Sequence, residues 1–308
     1  MARLITTLGP LSSDQVGLIL PHEHVFVDLR TSDQPGYAQA DTADVVRLMA
    51  PEIKAAQAAG ITALVECSTT GVGRRVDILK AVSQATGFPI VAPTGAYREP
   101  WIPPWIHAAS EEHLYQWMLG ELTGEIENSG VKAGFIKLSA GDDGLTATEI
   151  KVLRAAGRAA QAAGAAIGSH TIRGRVVHDQ LDILEAVGYP ISRFVWIHAH
   201  IEPDFALNLE VAARGAWIEY DGIGWEDNDR ITLERMQWMT TAGYSSQLLL
   251  SMDRGWYDPA QAGGGQPKPY TYLVEEFLPK ARTAGFDAAA LMEMTHTNPF
   301  RAFARPHA

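Results

Sequence analysis

The sequence predicts an α/β fold in which eight parallel strands close into a (β/α)8 TIM barrel behind a short N-terminal extension. Short apolar runs alternate with longer alanine-rich helical runs, and eight of the short runs can be counted along the chain. Several of them are apolar without alternation, as expected for parallel strands that are covered on both faces. The count of eight favours closure into a barrel, and an open doubly wound sheet is the competing arrangement.

The predicted strands are separated by the helical runs of a parallel sheet. The first leads directly into His22. The eight strands are Val16–Leu20, Ala63–Cys67, Ile90–Ala92, Gly134–Leu138, Ala165–Gly168, Phe194–Ile197, Trp217–Tyr220 and Leu248–Ser251.

Helices are predicted between these strands and after the last one. Asp41 can cap the first helix, and a glycine follows the last turn of five helices, where it accepts the left-handed conformation without strain. The predicted helices are Thr42–Ala59, Ala147–Ala163, Arg175–Val187, Phe205–Arg214, Thr232–Ala242, Tyr272–Ala284 and Ala288–Phe303. The Gly- and Pro-rich segment Ala260–Pro269 follows the eighth strand, and we expect it to form a mobile active-site loop.

The composition narrows the class of protein. Apolar residues make up 46% of the 308 residues, enough for a sizeable core, and we expect residues 1–308 to form one domain. The formal net charge is −11 without a basic stripe, so nucleic acid is not an expected partner. The sequence has no apolar run suited to a signal peptide or a membrane span, and Cys67, the single cysteine, cannot form an intrachain disulfide. We expect a cytoplasmic protein without membrane association that binds a small-molecule substrate and forms a homodimer.

Two histidines follow the first strand in the order Pro21-His22-Glu23-His24. In an extended chain residues i and i+2 share a face about 6–7 Å apart, so His22 and His24 can point at one ion while Glu23 points away. Two hydrogen-bonded histidines at a strand end would give the same pattern, so this motif alone does not decide.

A lysine interrupts the apolar fourth strand, Gly134-Phe135-Ile136-Lys137-Leu138. A lysine there is costly unless it is neutralised or paired, and a snorkelling side chain or a buried salt bridge is the ordinary explanation. A lysine in such a site can also lose its proton. The free amine could then react with carbon dioxide to give a carbamate whose two oxygens bridge two cations.

Residues of metal-ligand type also end the fifth, sixth and eighth strands, at His170, His198 and Asp253. The active site of a parallel barrel lies at the carboxyl ends of its strands, so these side chains would meet Lys137 and the histidine pair there. A mixture of histidine and carboxylate without thiolate suits Zn, Mn, Fe or Co and does not select among them. His200 lies two residues after His198, and spacing alone cannot choose between them.

The order HxH, Lys, His, His, Asp resembles the phosphotriesterase family of the amidohydrolase superfamily, including its phosphotriesterase-like lactonases. The resemblance runs nearly end to end, and the combination of motifs is specific although no single motif is. The matching segments are Thr7-Leu8-Gly9-Pro10, Leu20-Pro21-His22-Glu23-His24, Phe135-Ile136-Lys137, Ser169-His170, Ala213-Arg214-Gly215, Asp253 and Asn298-Pro299.

The resemblance implies a centre of two divalent ions, with Zn as the first candidate and Mn, Co or Fe as the others. The residues that would bind the buried ion are His22, His24 and Asp253, and those that would bind the more exposed ion are His170 and His198. Carboxylated Lys137 would bridge the two ions together with a hydroxide, and Asp253 would take the proton as that hydroxide attacks.

The resemblance also bears on the two histidines of the sixth strand. The interval from His198 to Ala213-Arg214-Gly215 and then Asp221 resembles the family interval from the ligand to the next strand. It therefore implies His198 as the ligand, with His200 behind the ligands or on the pocket wall.

Two departures bear on the substrate. Efficient organophosphate hydrolases of the family carry an Asp soon after the sixth-strand His and a His after the seventh-strand Asp, as a proton relay, whereas Ile201 and Gly222 stand here. The Arg that many family lactonases carry at the second place is also missing. Gly95-Ala96-Tyr97 resembles the lactonases, in which a tyrosine faces the metal centre. The resemblance implies hydrolysis of a lactone or carboxylic ester, with promiscuous phosphotriesterase activity and catalytic roles for Asp253, Lys137 and Tyr97.

Other functions stay open at this point. Arg98, Arg254 and Lys268 could contact an anionic substrate such as a phosphorylated sugar lactone. Related metal centres cleave C–N bonds, so an amide or cyclic amide is a further candidate, as is a dedicated phosphotriesterase. A non-enzymatic binding role is the weakest alternative, because the ligand set is intact. The aromatic residues that could form an apolar pocket are Trp101, Trp105, Trp225, Trp256 and Tyr257.

Overall fold

The computed structural model of the chain describes residues 2–306 and is a (β/α)8 barrel. A short antiparallel hairpin precedes the barrel, with strands β1 (Ala2–Thr6) and β2 (Gly9–Leu11). The barrel strands are β3 (Leu18–Phe26), β4 (Ile61–Glu66), β5 (Ile90–Val91) with β6 (Pro93–Thr94), β7 (Phe135–Ser139), β8 (Ile167–His170), β9 (Phe194–Ile197), β10 (Trp217–Tyr220) and β11 (Leu248–Leu250). Two further strands are β12 (Gly255–Tyr257) and β13 (Arg305–Pro306).

The helices lie outside the barrel and cover the apolar outer faces of its strands. Asp41 caps the first helix as predicted, accepting from the backbone N–H groups of Ala43 and Asp44. The helices of the described chain are α1 (Thr42–Ala58), α2 (Val76–Thr86), α3 (Pro104–Ala108), α4 (Glu111–Thr123), α5 (Ala147–Ala163), α6 (Gly174–Ala186), α7 (Phe205–Ala213), α8 (Asn228–Thr241), α9 (Leu278–Thr283), α10 (Ala288–Met292) and α11 (Asn298–Phe303). None of the helices between residues 2 and 306 is both long enough and apolar enough to cross a membrane.

The barrel closes between its last and first strands through side chains as well as backbone. The Ser251 hydroxyl accepts from the His22 N–H at 3.0 Å, and the Asp253 N–H donates to the His22 carbonyl at 3.3 Å. Beyond this point β12 pairs in parallel with β3, with Gly255 opposite His24 and Tyr257 opposite Phe26. The closing seam therefore runs directly past the histidine pair.

The lower half of the barrel interior is filled with apolar side chains. Phe135 of β7 is fully buried there, and its ring lies 5.2 Å from that of Phe303. Leu4 of the N-terminal hairpin belongs to the same cluster. Because side chains alternate along a strand, Lys137 faces the same interior one layer above Phe135, which places it at the boundary between the core and the mouth.

The prediction of a (β/α)8 barrel is confirmed, and most strand limits shift by only one or two residues. The exception is the first strand, since β3 continues to Phe26 and places His22 and His24 inside the strand instead of after it. The third barrel position is split, because Ile90–Val91 pairs with β4 and Pro93–Thr94 pairs with β7. Helices α2, α3 and α4 are additional to the predicted ones.

Candidate metal centre

The six side chains predicted as metal ligands gather at the carboxyl-terminal mouth of the barrel, around a cavity of about 160 Å³. Four of them are histidines whose rings crowd together, with centroids 5.4 Å apart for His22 and His24 and 5.0 Å apart for His22 and His198. The rings of His170 and His198 are 4.2 Å apart. His22 and His24 come from β3, His170 ends β8 and His198 follows β9, so the closed barrel brings these three strands' residues together.

His24 and Asp253 meet in a way that suits a shared cation better than a hydrogen bond. His24 Nε2 lies 3.0 Å from Asp253 Oδ1, and His22 Nε2 lies 3.7 Å from the same oxygen. This oxygen is buried, and the geometry gives it no aligned hydrogen bond from any residue between 2 and 306. Two ligands that each lie about 2.0–2.2 Å from one ion stand roughly 3–3.5 Å apart. The three side chains therefore fit a metal ion.

Asp221 orients two of the imidazoles from behind. Its carboxylate lies 2.8 Å from Nδ1 of His198 and 3.0 Å from Nδ1 of His22, and it is fully buried. Burial alone would raise the pKa of Asp221, but His198 and His22 hold it well below its usual range. An ionised carboxylate only accepts, so Nδ1 of His198 donates to Asp221, and Nε2 of His198 keeps its lone pair for a cation in the cavity.

Asp221 could itself form a three-residue ligand group with His22 and His198. Its position behind the rings favours the orienting role instead. Glu219, two residues earlier on β10, lies 3.0 Å from His22 Nδ1 and is also fully buried. Burial, reinforced by Asp221, raises the pKa of Glu219 well above its usual value. The sequence contained a signal for Glu219, because this glutamate interrupts the apolar strand Trp217–Tyr220 just as Lys137 interrupts β7.

Tyr97 lies beside His170 at the same mouth. Its hydroxyl is 3.1 Å from Nδ1 of His170, and the two rings meet edge to face with centroids 5.2 Å apart. Burial raises the pKa of Tyr97 to about 12, so the phenol keeps its proton and can donate a hydrogen bond. The position predicted from Gly95-Ala96-Tyr97 is therefore where a substrate oxygen could be contacted.

Lys137 is 1% exposed and lacks the carboxylate partner that a buried ammonium needs. Its Nζ makes one long hydrogen bond, 3.4 Å to the Leu138 carbonyl, and forms no ion pair with any residue from 2 to 306. Burial lowers the pKa of Lys137, which favours the neutral amine. A neutral, unpaired amine that lines the ligand cavity has the properties required for carbamate formation.

Glu23 and Glu66 support the ligands from the outer side of β3. Glu23 accepts from the Ser251 hydroxyl at 2.8 Å, from the Met252 N–H at 3.2 Å and from the Arg254 N–H at 2.6 Å. These bonds shape the turn that carries Asp253. Burial raises the pKa of Glu23 to about 8. Glu66 lies 3.5 Å from His24 Nδ1, which also meets the Ser68 hydroxyl at 2.8 Å.

Two of the predicted ligands adopt backbone conformations that side chains rarely take. His198 has φ 65° and Asp253 has φ 51°, both in the left-handed region. Such conformations cost on the order of 1–3 kcal/mol each and persist where the surroundings enforce them, as at functional sites. They turn each side chain from the end of its strand into the mouth of the barrel.

The position of His200 explains why residue 222 is a glycine. His200 is 7% exposed, and a Cβ at Gly222 would collide with its Nε2 and Cδ2 atoms. His200 Nδ1 lies 3.1 Å from Asp221 but is not aligned for a hydrogen bond. The imidazole thus occupies the space into which a side chain at position 222 would extend. Ile201, in contrast, is 47% exposed.

A second, more open cavity of about 340 Å³ adjoins the ligand cavity. Trp225 and Trp256 line it, as predicted for an apolar pocket, and Trp256 also lines the ligand cavity. The remaining aromatic residues of that prediction lie elsewhere. Trp101 packs edge-on against Tyr97, Trp105 is 42% exposed against Trp117, and Tyr257 stacks on Phe26.

Comparison with known proteins gives the family of the chain. A model of the phosphotriesterase family matches residues 2–303. The phosphotriesterase homology protein of Escherichia coli (strain K12) is 28% identical over 298 residues, which cover 95% of this chain and 100% of that protein. The N-acetyltaurine hydrolase of Xenopus tropicalis is 25% identical over 337 residues, which cover 96% and 95% of the two chains. A mutant of a PTE-like lactonase from Deinococcus radiodurans superposes with a TM-score of 0.87 at 29% identity, covering 98% of this chain and 100% of that one.

The fold and the mouth together define a (β/α)8 barrel with histidine and aspartate groups able to hold metal ions. The chain belongs to the phosphotriesterase family, and it is therefore a hydrolase.

Proposed function

We propose that this chain is a two-metal hydrolase of lactones or related carboxylic esters, with promiscuous phosphotriesterase activity. The observation that carries the proposal is the convergence of His22, His24, Lys137, His170, His198 and Asp253 on one cavity. Tyr97 beside that cavity supports a carbonyl substrate, because its protonated hydroxyl can donate to an oxygen seated there.

The donor set fits two divalent ions, with Zn first and Mn, Co or Fe as alternatives. His22, His24 and Asp253 would hold one ion and His170 and His198 the other, with carboxylated Lys137 shared between them. The ions would supply a water of lowered pKa and would polarise the substrate oxygen.

The chain's own residues would position the reaction and accept its proton. His24 and His22 hold the pKa of Asp253 below its usual range despite burial, so the side chain is an ionised carboxylate. In this proposal Asp253 is the group that takes the proton from the attacking water. Lys137, as a neutral amine, would add to carbon dioxide, forming an N–C bond and releasing one proton to give the carbamate. Asp221 would hold His198 in the tautomer that leaves Nε2 free, and Glu219 and Asp221 together would orient His22 through its Nδ1.

Two positions disfavour a specialised phosphotriesterase. Ile201 and Gly222 have no group that titrates or donates a hydrogen bond, so they cannot relay a proton from Asp253. A missing general acid–base group costs about 10²–10⁴ in rate where it matters. A lactone carbonyl is planar and needs one attacking hydroxide and one polarised oxygen, whereas a phosphotriester is bulkier.

Amide hydrolysis is the second candidate. It is supported by relatives named N-acetyltaurine hydrolase, which match nearly the full length of this chain at 25% and 26% identity. The same donor set could activate water towards an amide carbonyl, after which the amine leaving group would need a proton.

A substrate panel tests the proposal. One Zn- or Mn-loaded preparation is assayed with γ- and δ-lactones, acyl-homoserine lactones, aryl esters, N-acetyltaurine and paraoxon. We expect kcat/KM for the best lactone or ester to exceed that for paraoxon by orders of magnitude, with all activities lost on chelation. Paraoxon turnover above every lactone and ester would overturn the preference, and a higher value for N-acetyltaurine would establish the amide alternative. Activity that survives complete metal removal would overturn the two-metal proposal itself.

A further inference from the structure

Lys268 places a positive charge against two tryptophans of the 340 Å³ cavity, and no carboxylate of the described chain forms an ion pair with it. Its Nζ lies 3.1 Å from the centroid of the Trp225 ring and 5.6 Å from that of Trp256, and both indoles line the 340 Å³ cavity. Within residues 2–306, no carboxylate lies within 4.0 Å of this ammonium, and its donors make no hydrogen bond. Lys280, which also lies over an aromatic ring, instead pairs with Asp229 at 2.7 Å.

The backbone fixes this ammonium relative to the predicted metal ligands. Lys268 donates its N–H to the Gly255 carbonyl at 2.8 Å and accepts from the Gly255 N–H at 3.1 Å. Gly255 belongs to β12, which pairs with β3 at His24. The backbone of Lys268 is therefore tied to β12, two residues after Asp253, and through β12 to the strand that carries His24. The two indole contacts place its ammonium at the rim.

Arg254 adds a second positive charge on this side. Its Nη2 donates to the Gly224 carbonyl at 2.6 Å, its Cζ lies 4.7 Å over the Tyr272 ring, and it too forms no ion pair in the described chain. The acidic residues that line this cavity form no ion pair with either cation, and Asp253 attracts Lys268 only from a longer distance. Asp221 and Asp253 face histidine rings, and Glu226 is exposed to solvent.

Two indole faces hold an ammonium by cation–π attraction while leaving its N–H donors free. A cation that is ordered but not paired is suited to a charge-assisted hydrogen bond with an incoming oxyanion. An apolar acyl chain alone would have to cover this ammonium without supplying a partner, which is unfavourable.

We propose that the substrate carries an anionic oxyacid group, a carboxylate, sulfonate or phosphate, that binds Lys268 at the rim formed by Trp225 and Trp256 while the scissile carbonyl lies at the ligand cluster. The inference rests on the proposed hydrolase function and names the substrate class for that site. It applies equally to an anionic lactone and to an N-acylated amino acid or aminosulfonate.

Direct binding tests the anion site without turnover. Butanoate, butane-1-sulfonate and butyl phosphate are titrated calorimetrically into the metal-loaded protein, with butyl methyl sulfone as the neutral control. We expect at least one anion to bind, and Lys268→Met to weaken it about ten- to a hundredfold, the range of a lost charged hydrogen bond. Lys268→Arg should retain most of the affinity, and Lys54→Met, the same change on the outer helix α1, should have no effect. Equal anion affinity in the wild type and Lys268→Met, or no anion binding at all, would overturn the site.

Matched substrates connect the site to catalysis. The anionic lactone 5-oxotetrahydrofuran-2-carboxylate is compared with its uncharged carboxamide, and N-acetyl-β-alanine with its amide. We expect the wild type to prefer the anionic member of a pair through a lower KM, and Lys268→Met to raise that KM with a much smaller change in kcat. A wild type that prefers the neutral member of each pair would refute the substrate class. If neither pair nor the wider substrate panel is hydrolysed, the hydrolase proposal fails, whereas the calorimetric result still decides the anion site.

Discussion

His198 and His200 differ in how each imidazole meets Asp221. His198 Nδ1 is aligned with the carboxylate at 2.8 Å, whereas His200 Nδ1 lies 3.1 Å away without alignment, and its ring covers Gly222. We therefore expect His198→Ala to lose one of the two metals and His200→Ala to retain both. Elemental analysis after reconstitution measures this directly, and the reverse pattern would show that His200 is the ligand.

Lys137 is the other residue whose chemistry can be isolated by substitution. Its burial and its lack of an ion pair favour a neutral amine, and therefore the carbamate. Lys137→Ala should lose most of the activity, because the shared ligand is gone, and added acetate or propionate with metal should restore part of it. Lys132→Ala, a change at an exposed lysine just before the same strand, is the matched control. Electron density that shows an unmodified Lys137 amine in fully metallated wild-type enzyme would contradict the prediction.

The sequence allowed the cavity-lining ligand candidates to be predicted because each ends or interrupts a strand with a conspicuous residue type. The roles of the residues behind them could not be predicted, for different reasons. Asp221 marked the seventh strand in the sequence, but only the three histidines around it in the fold reveal that it orients imidazoles. The pairing of His200 with Gly222 is a contact between two strand ends, which no local pattern reveals.

At the scale of elements, the turn after β11 depends on Glu23 from the neighbouring strand. Glu23 accepts three hydrogen bonds from residues 251–254. Burial raises the pKa of Glu23 to about 8, so the site accommodates an uncharged side chain at this position as long as it can accept hydrogen bonds. Glu23→Gln should therefore be mild. Glu23→Ala leaves buried donors without an acceptor and should destabilise the fold by roughly 2–4 kcal/mol, since each lost partner costs about 1–3 kcal/mol. Thermal unfolding of the metal-free variants measures this, and equal melting temperatures for the two variants would contradict the role.

The first and last residues of a helix or strand could be predicted where neighbouring residues in the sequence determine them. Helix α5 matches its predicted range of Ala147–Ala163, because Thr146 caps its first turn and Gly164 takes the left-handed conformation at its end. The limits of β3 depend instead on pairing with β12, a strand more than 200 residues away in sequence. The split of the third barrel position likewise follows from which neighbour each half pairs with, and not from its own residues.

For the whole molecule, the proposed ions would connect strands from both ends of the chain across the closing seam. Ligands that bind the folded state alone stabilise it by about 2.7 kcal/mol at a hundredfold excess over Kd. At about 2–4 °C per kcal/mol, the metal-loaded protein should melt roughly 5–10 °C above the chelated one, and the difference should grow with metal concentration.

Asp253→Ala should remove much of this increase in melting temperature, since Asp253 completes the three-residue group with His22 and His24. Calorimetric scans with and without Zn or Mn provide the measurement, and Lys54→Met serves as the control that keeps the full increment. A melting temperature unaffected by chelation would mean that this cluster of buried histidines and carboxylates is held by its own hydrogen bonds, and not by metal.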